Sequence, residues 1–365
     1  MALIKYDRDL RSYLLWGDNL MNRRCIALAA LVCSTSALFT VAANAQPAAL
    51  YQTTNYKGRE IGKLTGDVYY ARSDDYVSAF MVTSEGIVLV EPIGTEFATW
   101  LKGELDRRFH VPVKYVIYSH SHADHASGAA VYRDTARIIG HEALLGLLKM
   151  PPANTPLPPA LKMQDANNNG RIDRSEAQGQ MAALFDVYDA DGDGALSGAE
   201  ATRGPLKFVA PPDLTYSAPV NIRLGGKLVE VIPMPTDHAP DNTVVRFVDG
   251  TNVLFASDWI TNSRVPFGPN IALPSEIASI KKVAGMDFEH FVCSHGRLVT
   301  KADVAANLKY REAVVAAVKD AIAAGKTLEQ TRDSVLMSDY SGWEFFDAQR
   351  PLNVTGAYRI LAASR

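Results

Sequence analysis

The reading of this chain turns on Val113–His125, VKYVIYSHSHADH. Val113 to Tyr118 alternates and concentrates β-branched and aromatic residues, which predicts a buried strand. It runs straight into His120, His122, Asp124 and His125, four metal-ligand side chains within six residues. A lone histidine is ordinarily a solvated or hydrogen-bonded residue. Three histidines and an aspartate at the mouth of one strand form a different pattern. Alternate residues of an extended segment project to one side, so His120 and His122 can share an ion, and Asp124 and His125, further along, can reach a second. Imidazole and carboxylate together suit Zn²⁺.

Outward from this stretch the chain alternates strand and helix signals. On the N-terminal side, Asp67–Arg72, Val77–Ser84 and Ile87–Pro92 predict antiparallel strands, and Glu96–Phe109 carries helical spacing at Phe97, Leu101 and Leu105. On the C-terminal side, short helices are predicted at Ser127–Arg133 and Glu142–Lys149, with a strand at Ala136–Ile139 between them. Five prolines in 151–160 and the pair Pro211-Pro212 bracket a stretch without β pattern. Beyond it strands resume in VNIRL, KLVEVIPM, TVVRFVDG and TNVLFASD, and a helix is predicted at Lys301–Ala324. One α/β domain, 46–150 and 213–365, is thus interrupted by an insertion at 151–212.

The ligand motif resembles the H-x-H-x-D-H signature of the metallo-β-lactamase fold superfamily, and the resemblance extends over most of the chain outside the insertion. GIVLVEP is similar to the superfamily's early strand, with Glu91 in place of its usual Asp. His238 in MPTDHAPDNTVV, Asp258 in VLFASDWI and His295 in FVCSHGR match the remaining ligands. The resemblance implies an αββα sandwich and two zinc ions: His120, His122 and His238 hold one; Asp124, His125 and His295 hold the other; Asp258 bridges. It implies a hydroxide shared between the metals as nucleophile, with Asp124 as both ligand and proton acceptor. The run His238-Ala239-Pro240-Asp241-Asn242 resembles zinc β-lactamases that use a Cys ligand, but Asp258 stands where those enzymes have Cys. The full His/Asp set looks more like glyoxalase II and lactonases. Superfamily membership does not choose the substrate.

Within the insertion, Asp165, Asn167, Asn169, Arg171, Asp173 and Glu176 fall at positions 1, 3, 5, 7, 9 and 12 of a twelve-residue loop, and Asp189, Asp191, Asp193, Ala195, Ser197 and Glu200 repeat the pattern. Gly170 and Gly194 stand at position 6. Both loops resemble the EF-hand calcium loop, in which side-chain oxygens and the position 7 carbonyl hold Ca²⁺. From 165 to 200, eight acids stand against two arginines, a net charge of −6 that two Ca²⁺ would largely offset. The prolines leave the first loop without a good entering helix, as in compact bacterial EF-hand or dockerin-like pairs, which favours a structural over a sensor role.

The whole chain has 365 residues, 21% charged, 47% hydrophobic, with a net charge of −3. That balance fits globular domains and argues against a nucleic-acid surface. Residues 1–20 read as an upstream extension. From Met21, Arg23-Arg24, an apolar run to Val41 and Ala43-Asn44-Ala45 compose a secretory signal peptide, 21–45, with an uncleaved anchor helix as the alternative. Export to a bacterial periplasm, with no stable membrane insertion after cleavage, is the expectation. Cleavage would remove Cys25 and Cys33, leaving Cys293, so a disulfide scaffold is excluded. Cys293 reads as a buried strand residue, and His110, His141 and His290 as residues outside the site. The sequence therefore predicts an exported binuclear zinc hydrolase of a small-molecule ester, lactone or β-lactam. Two alternatives are a mononuclear iron oxidoreductase on the same scaffold and a non-catalytic calcium-dependent binding protein.

Overall fold

The computed structural model describes residues 57–248, 252–261 and 263–363. The extension at 1–20 and the signal-peptide reading at 21–45 lie outside them. No described helix is long and apolar enough to cross a membrane.

Two mixed sheets form the frame. The first runs, in spatial order, β1 (Arg59–Thr65), β2 (Val68–Ser73), β3 (Tyr76–Thr83), β4 (Gly86–Val90), β5 (Val113–Ile117), β6 (Arg137–His141) and β9 (Leu214–Tyr216). β1 to β4 pair antiparallel, as the sequence predicts for β2–β4; β4, β5, β6 and β9 pair parallel. The second sheet is β10 (Val220–Leu224), β11 (Lys227–Pro233), β12 (Thr243–Val248), β13 (Val253–Ala256) and β14 (His290–Cys293), antiparallel except for the parallel β13–β14 pair.

Burial follows strand position. β4, central in its sheet, is buried at all five residues, GIVLV, as a strand covered on both faces must be. The edge strand β10 alternates between exposed and covered side chains. Val77, Ala79, Met81, Val88 and Val90 of the first sheet pack with Val229, Val231, Val245, Phe247 and Phe255 of the second, so the sheets face each other over one apolar core.

Helices close both outer faces. On the first sheet lie α1 (Thr95–Phe109), α2 (Ala123–Ala126) and α3 (Ala143–Leu147); Phe97, Leu101 and Leu105 turn inward at four-residue spacing. On the second lie α7 (Pro274–Ala284) and α8 (Lys301–Ala323), through Ile280, Val283 and Val304. α9 (Leu328–Ser334) and α10 (Phe346–Ala363) pack further along α8, around Tyr310, Val314, Val318 and Val354. The four layers are those of the expected αββα sandwich.

Several element boundaries differ from the sequence reading. β1, whose REIGKLT has no clean alternation, was not predicted; it is an edge strand held by pairing with β2. Ser127–Arg133 forms a 3-10 turn at Ala129–Tyr132 rather than a helix. The stretch read as having no β structure contains two residue pairs, β7 (Ile172–Asp173) and β8 (Ala195–Leu196), that join antiparallel. A two-residue strand is too short to leave a periodic signal. Around them stand α4 (Gly179–Ala183), α5 (Phe185–Tyr188) and α6 (Gly198–Arg203), over a small core of Leu157, Ile172, Met181, Phe185 and Leu196.

Candidate metal centre

All seven candidate ligands of the histidine motif set lie on loops or the short α2 that follow strands of the two sheets. His120 and His122 follow β5, and α2 carries Asp124 and His125. His238 lies between β11 and β12; Asp258 follows β13 and His295 follows β14. The carboxyl ends of strands in α/β sheets commonly build such sites, because each strand delivers its next residues to one edge.

The side chains fall into two groups. In the first, His120, His122, His238 and Asp258 each offer a ligand atom within 4.8 Å of the others; Asp124, His125 and His295 form the second. Nε2 of His120 lies 3.3 Å from Nε2 of His238, and Nε2 of His125 lies 3.3 Å from Nε2 of His295. Bonds of about 2.0–2.1 Å to one tetrahedral Zn²⁺ would set neighbouring nitrogens about 3.3 Å apart, so the donor spacing fits such an ion. Asp258 stands between the groups. Its Oδ1 is 3.2 Å from His238 Nε2 and 3.5 Å from His120 Nε2, while Oδ2 is 3.6 Å from His125 Nε2.

The outer ring atoms are fixed by partners. His125 Nδ1 donates to the buried Glu91 carboxylate, which also accepts from Ser119 Oγ. Ser257 Oγ donates to Asp258. Each hydroxyl has one hydrogen, and both are committed to carboxylates. Ser119 and Ser257 must therefore accept from His120 Nδ1, at 3.0 and 2.9 Å. This fixes the tautomer and leaves the His120 Nε2 lone pair facing the site. His295 Nδ1 lies 3.3 Å from Asp75, and the His238 backbone N–H donates to Glu276 at 2.9 Å.

Electrostatics divide the histidines. Burial pushes His120 well below the ordinary imidazole range and His122 down to about 4, so both are neutral and free to ligate at neutral pH. Burial opposes charge on His125 too, but Glu91 and Asp258 outweigh it and raise its pKa well above the usual value. A negative field that retains a proton also favours a metal cation. Asp124 is pulled down to about 2: burial works against the charge, and hydrogen bonding to His125 overcomes it.

Glu91 was noticed in the sequence only as a departure from the usual Asp; Ser119, Ser257, Asp75 and Tyr76 were missed. The two serines directly precede His120 and Asp258, a signal that was available. Asp75 and Tyr76 are remote from every ligand motif. Of the histidines set aside, His110 ends α1 in the left-handed conformation, and His141 Nδ1 accepts from the Ala143 backbone N–H at 3.1 Å. Cys293 is buried and its thiol is pushed up to about 12 by that burial.

The acidic loops have a geometry of their own. Gly170 and Gly194 sit at φ 83° and 87°, left-handed conformations that favour glycine. Asp165 accepts from the backbone N–H of Asn169 and Gly170, and Asp189 from those of Gly192 and Gly194. Glu176 accepts from Asn167 and Asp173, and Glu200 from Ala190 and Ser197. β7 and β8 pair Ile172 with Leu196, the eighth residues of their loops. Oxygens of Asp189, Asp191 and Glu200 come within 4.8 Å of one another. The three acids of the first loop do not gather in this way; Asp173 instead accepts from the amides of Asn167 and Asn169. The Arg171 side chain crosses to Asp193 and to the Ala195 carbonyl.

Two sheets packed face to face between helices, with a histidine–aspartate cluster at their edge, define a metal-binding αββα protein. The family model of the metallo-beta-lactamase superfamily matches residues 74–316, and the chain belongs to that superfamily. No curated protein matches the sequence. Among solved structures, a stereoselective inverting sec-alkylsulfatase from Pseudomonas sp. aligns at 15% identity and TM-score 0.53, covering 83% of this chain and 50% of that one. This chain thus spans half the sulfatase's length. A metallo-beta-lactamase from Pontibacter korlensis aligns at 18% identity and TM-score 0.47, covering 70% of this chain and 99% of that one. At 15% identity the likeness to the sulfatase speaks to fold alone.

Proposed function

We propose that the chain is an exported, binuclear zinc-dependent hydrolase of a carboxylic ester, lactone or β-lactam, with calcium held by the loops at 165–176 and 189–200. One observation carries the reading: Asp258 turns one carboxylate oxygen toward His120 and His238 and the other toward His125. A carboxylate placed between two histidine groups is suited to bridging two cations. In this reading His120, His122 and His238 hold one ion, Asp124, His125 and His295 the other, with Asp258 shared. Divalent ions there supply an acidified water and a Lewis acid at neutral pH.

The chain's own residues do the rest. Glu91, Ser119 and Ser257 hold His125 and His120 so that their Nε2 atoms face the site. Asp124, ionised at neutral pH, accepts a proton as the nucleophile attacks and returns it to the leaving group. No serine or cysteine nucleophile is required, and the buried Cys293 does not serve as one.

The insertion, 151–212, is a structural calcium module in this reading, and residues 21–45 direct export to the periplasm. N-terminal sequencing of periplasmic protein should then begin at Gln46.

The deciding experiment is a panel of β-lactam, lactone, carboxylate-ester, phosphate-ester and sulfate-ester substrates, with metal content measured on the same sample. The sulfate ester belongs in the panel because a sec-alkylsulfatase shares the fold. Turnover of a carboxyl substrate by protein containing two zinc ions is expected. A single iron with oxygen consumption and no hydrolysis would turn the assignment to the oxidoreductase class.

A further inference from the structure

We propose that Asp75 and Tyr76 form a clamp that positions the second-metal ligands, His295, His125 and Asp124; this rests on the two-metal reading above. Tyr76 opens β3 and Asp75 directly precedes it, and the backbone laces both to the His295 segment. Val77 N–H donates to the Ser294 carbonyl at 2.8 Å, Gly296 N–H donates to the Asp75 carbonyl at 2.8 Å, and Tyr76 and His295 form an antiparallel bridge between them. That pairing fixes the register of the dipeptide against the ligand.

From this fixed register both side chains act on the same half of the site. The Asp75 carboxylate lies 3.3 Å from His295 Nδ1. The Tyr76 ring packs 4.6 Å from the His295 ring and 5.8 Å from the His125 ring, and its hydroxyl donates to Asp124 Oδ2 at 3.2 Å. One tyrosine thus touches all three second-group ligands. Among the described residues, the ring contacts and hydrogen bonds of the dipeptide reach none of His120, His122 and His238.

Asp124 needs such a partner. It stands on the four-residue α2 with its side chain 44% exposed, whereas His125 beside it is buried. The hydroxyl of Tyr76 ties this half-exposed carboxylate to a ring packed against His295, so the angle between the two ligands is set before an ion arrives. Asp75 is itself pre-set: Arg264 donates two N–H bonds to its carboxylate at 2.8 and 2.5 Å and pairs with Glu344 on its other side. Preorganisation of this kind raises affinity by removing the ordering cost from the binding step.

Zinc titration of the whole mature protein against a competing chelator tests the clamp. Wild type should bind two equivalents. Tyr76→Phe keeps the ring and loses only the hydroxyl. It should bind the first equivalent unchanged and the second about 10- to 100-fold more weakly, with kcat lowered and KM unchanged. Asp75→Asn should weaken the same equivalent, and His295→Ala should abolish it. Unfolding midpoints of the metal-free variants equal to wild type would show that the loss is at the ligands and not in the fold. Wild-type binding of both equivalents by Tyr76→Phe and Asp75→Asn overturns the clamp. Fewer than two equivalents on wild type overturns the two-metal reading and the clamp with it.

Discussion

Glu91 and His125 share a hydrogen bond in the interior, His125 Nδ1 donating to a carboxylate that has no exposure to solvent. A buried carboxylate is costly unless its oxygens are occupied, and here the second oxygen takes Ser119 Oγ–H. Glu91 therefore orients His125 directly and His120 through Ser119. Glu91→Gln keeps the size but loses the charge and can accept through only one atom. It should weaken zinc affinity about 10- to 100-fold, read by chelator competition. Glu91→Ala also leaves two donors without partners and should destabilise the fold by about 1–3 kcal/mol for each, read by denaturant unfolding.

On the proposed mechanism, Asp124 should bear on rate more than on stability. Its side chain is half-exposed and hydrogen-bonded to Tyr76 and paired with His125. Asp124→Asn preserves the shape but cannot take a proton. kcat should fall by about 10²- to 10⁴-fold, with the unfolding midpoint near wild type. A variant with full turnover would remove Asp124 from the role of proton acceptor.

How much of this site was legible in sequence depends on how local the signal is. His120 to His125 declare themselves because one strand end delivers four ligand types in six residues. His238, Asp258 and His295 were legible only through the resemblance to the superfamily's motifs, since each is a single ligand type after a strand-like run. Glu91 was visible only as an odd residue; its contact with His125 crosses 34 positions, and nothing in GIVLVEP encodes it. Asp75 and Tyr76 were illegible for the same reason. Most of their partners lie far along the chain, and their pairing with His295 arises only when β3 meets the segment after β14. In the fold, elements with a strong local pattern, such as the periodic α1 and the continuous apolar run of β4, were read closely. The edge strand β1 and the two-residue β7 and β8 were not, since tertiary pairing rather than local pattern makes them strands.

The two acidic loops should couple calcium to stability. Like charges concentrated between 165 and 200 repel without a cation, and a ligand that binds only the folded state stabilises it by about 2.7 kcal/mol at a concentration of 100 Kd. Removal of calcium with zinc retained should lower the Tm, and calcium should restore it. Glu200, buried and accepting from the Ala190 and Ser197 backbone N–H groups, is the residue to change. Glu200→Gln should reduce the calcium-dependent part of the Tm shift and leave the zinc content at two. An unchanged Tm in wild type on calcium removal would set the calcium module aside.

The start of α8 offers a pH test on a carboxylate that is not one of the candidate ligands. Thr300 and Asp303 form a reciprocal cap, Thr300 Oγ1 accepting from the Asp303 backbone and the Asp303 carboxylate accepting from the Thr300 backbone, while Arg297 donates to both Asp303 oxygens. Burial works against the charge, but the bonds from Arg297 and Thr300 prevail and lower the Asp303 pKa below the ordinary value. A carboxylate whose folded pKa is depressed contributes stability that is complete above its unfolded pKa, about 3.9, and lost as pH falls through the lower folded value. Asp303→Asn should therefore cost about 1–2 kcal/mol at pH 7 through the lost ion pair and weakened cap. The gap to wild type should shrink as pH drops below about 4, because wild type alone loses this contribution there. Thermal unfolding of both proteins from pH 7 down to pH 3 measures it, and a gap that stays constant or widens in acid would refute the assignment.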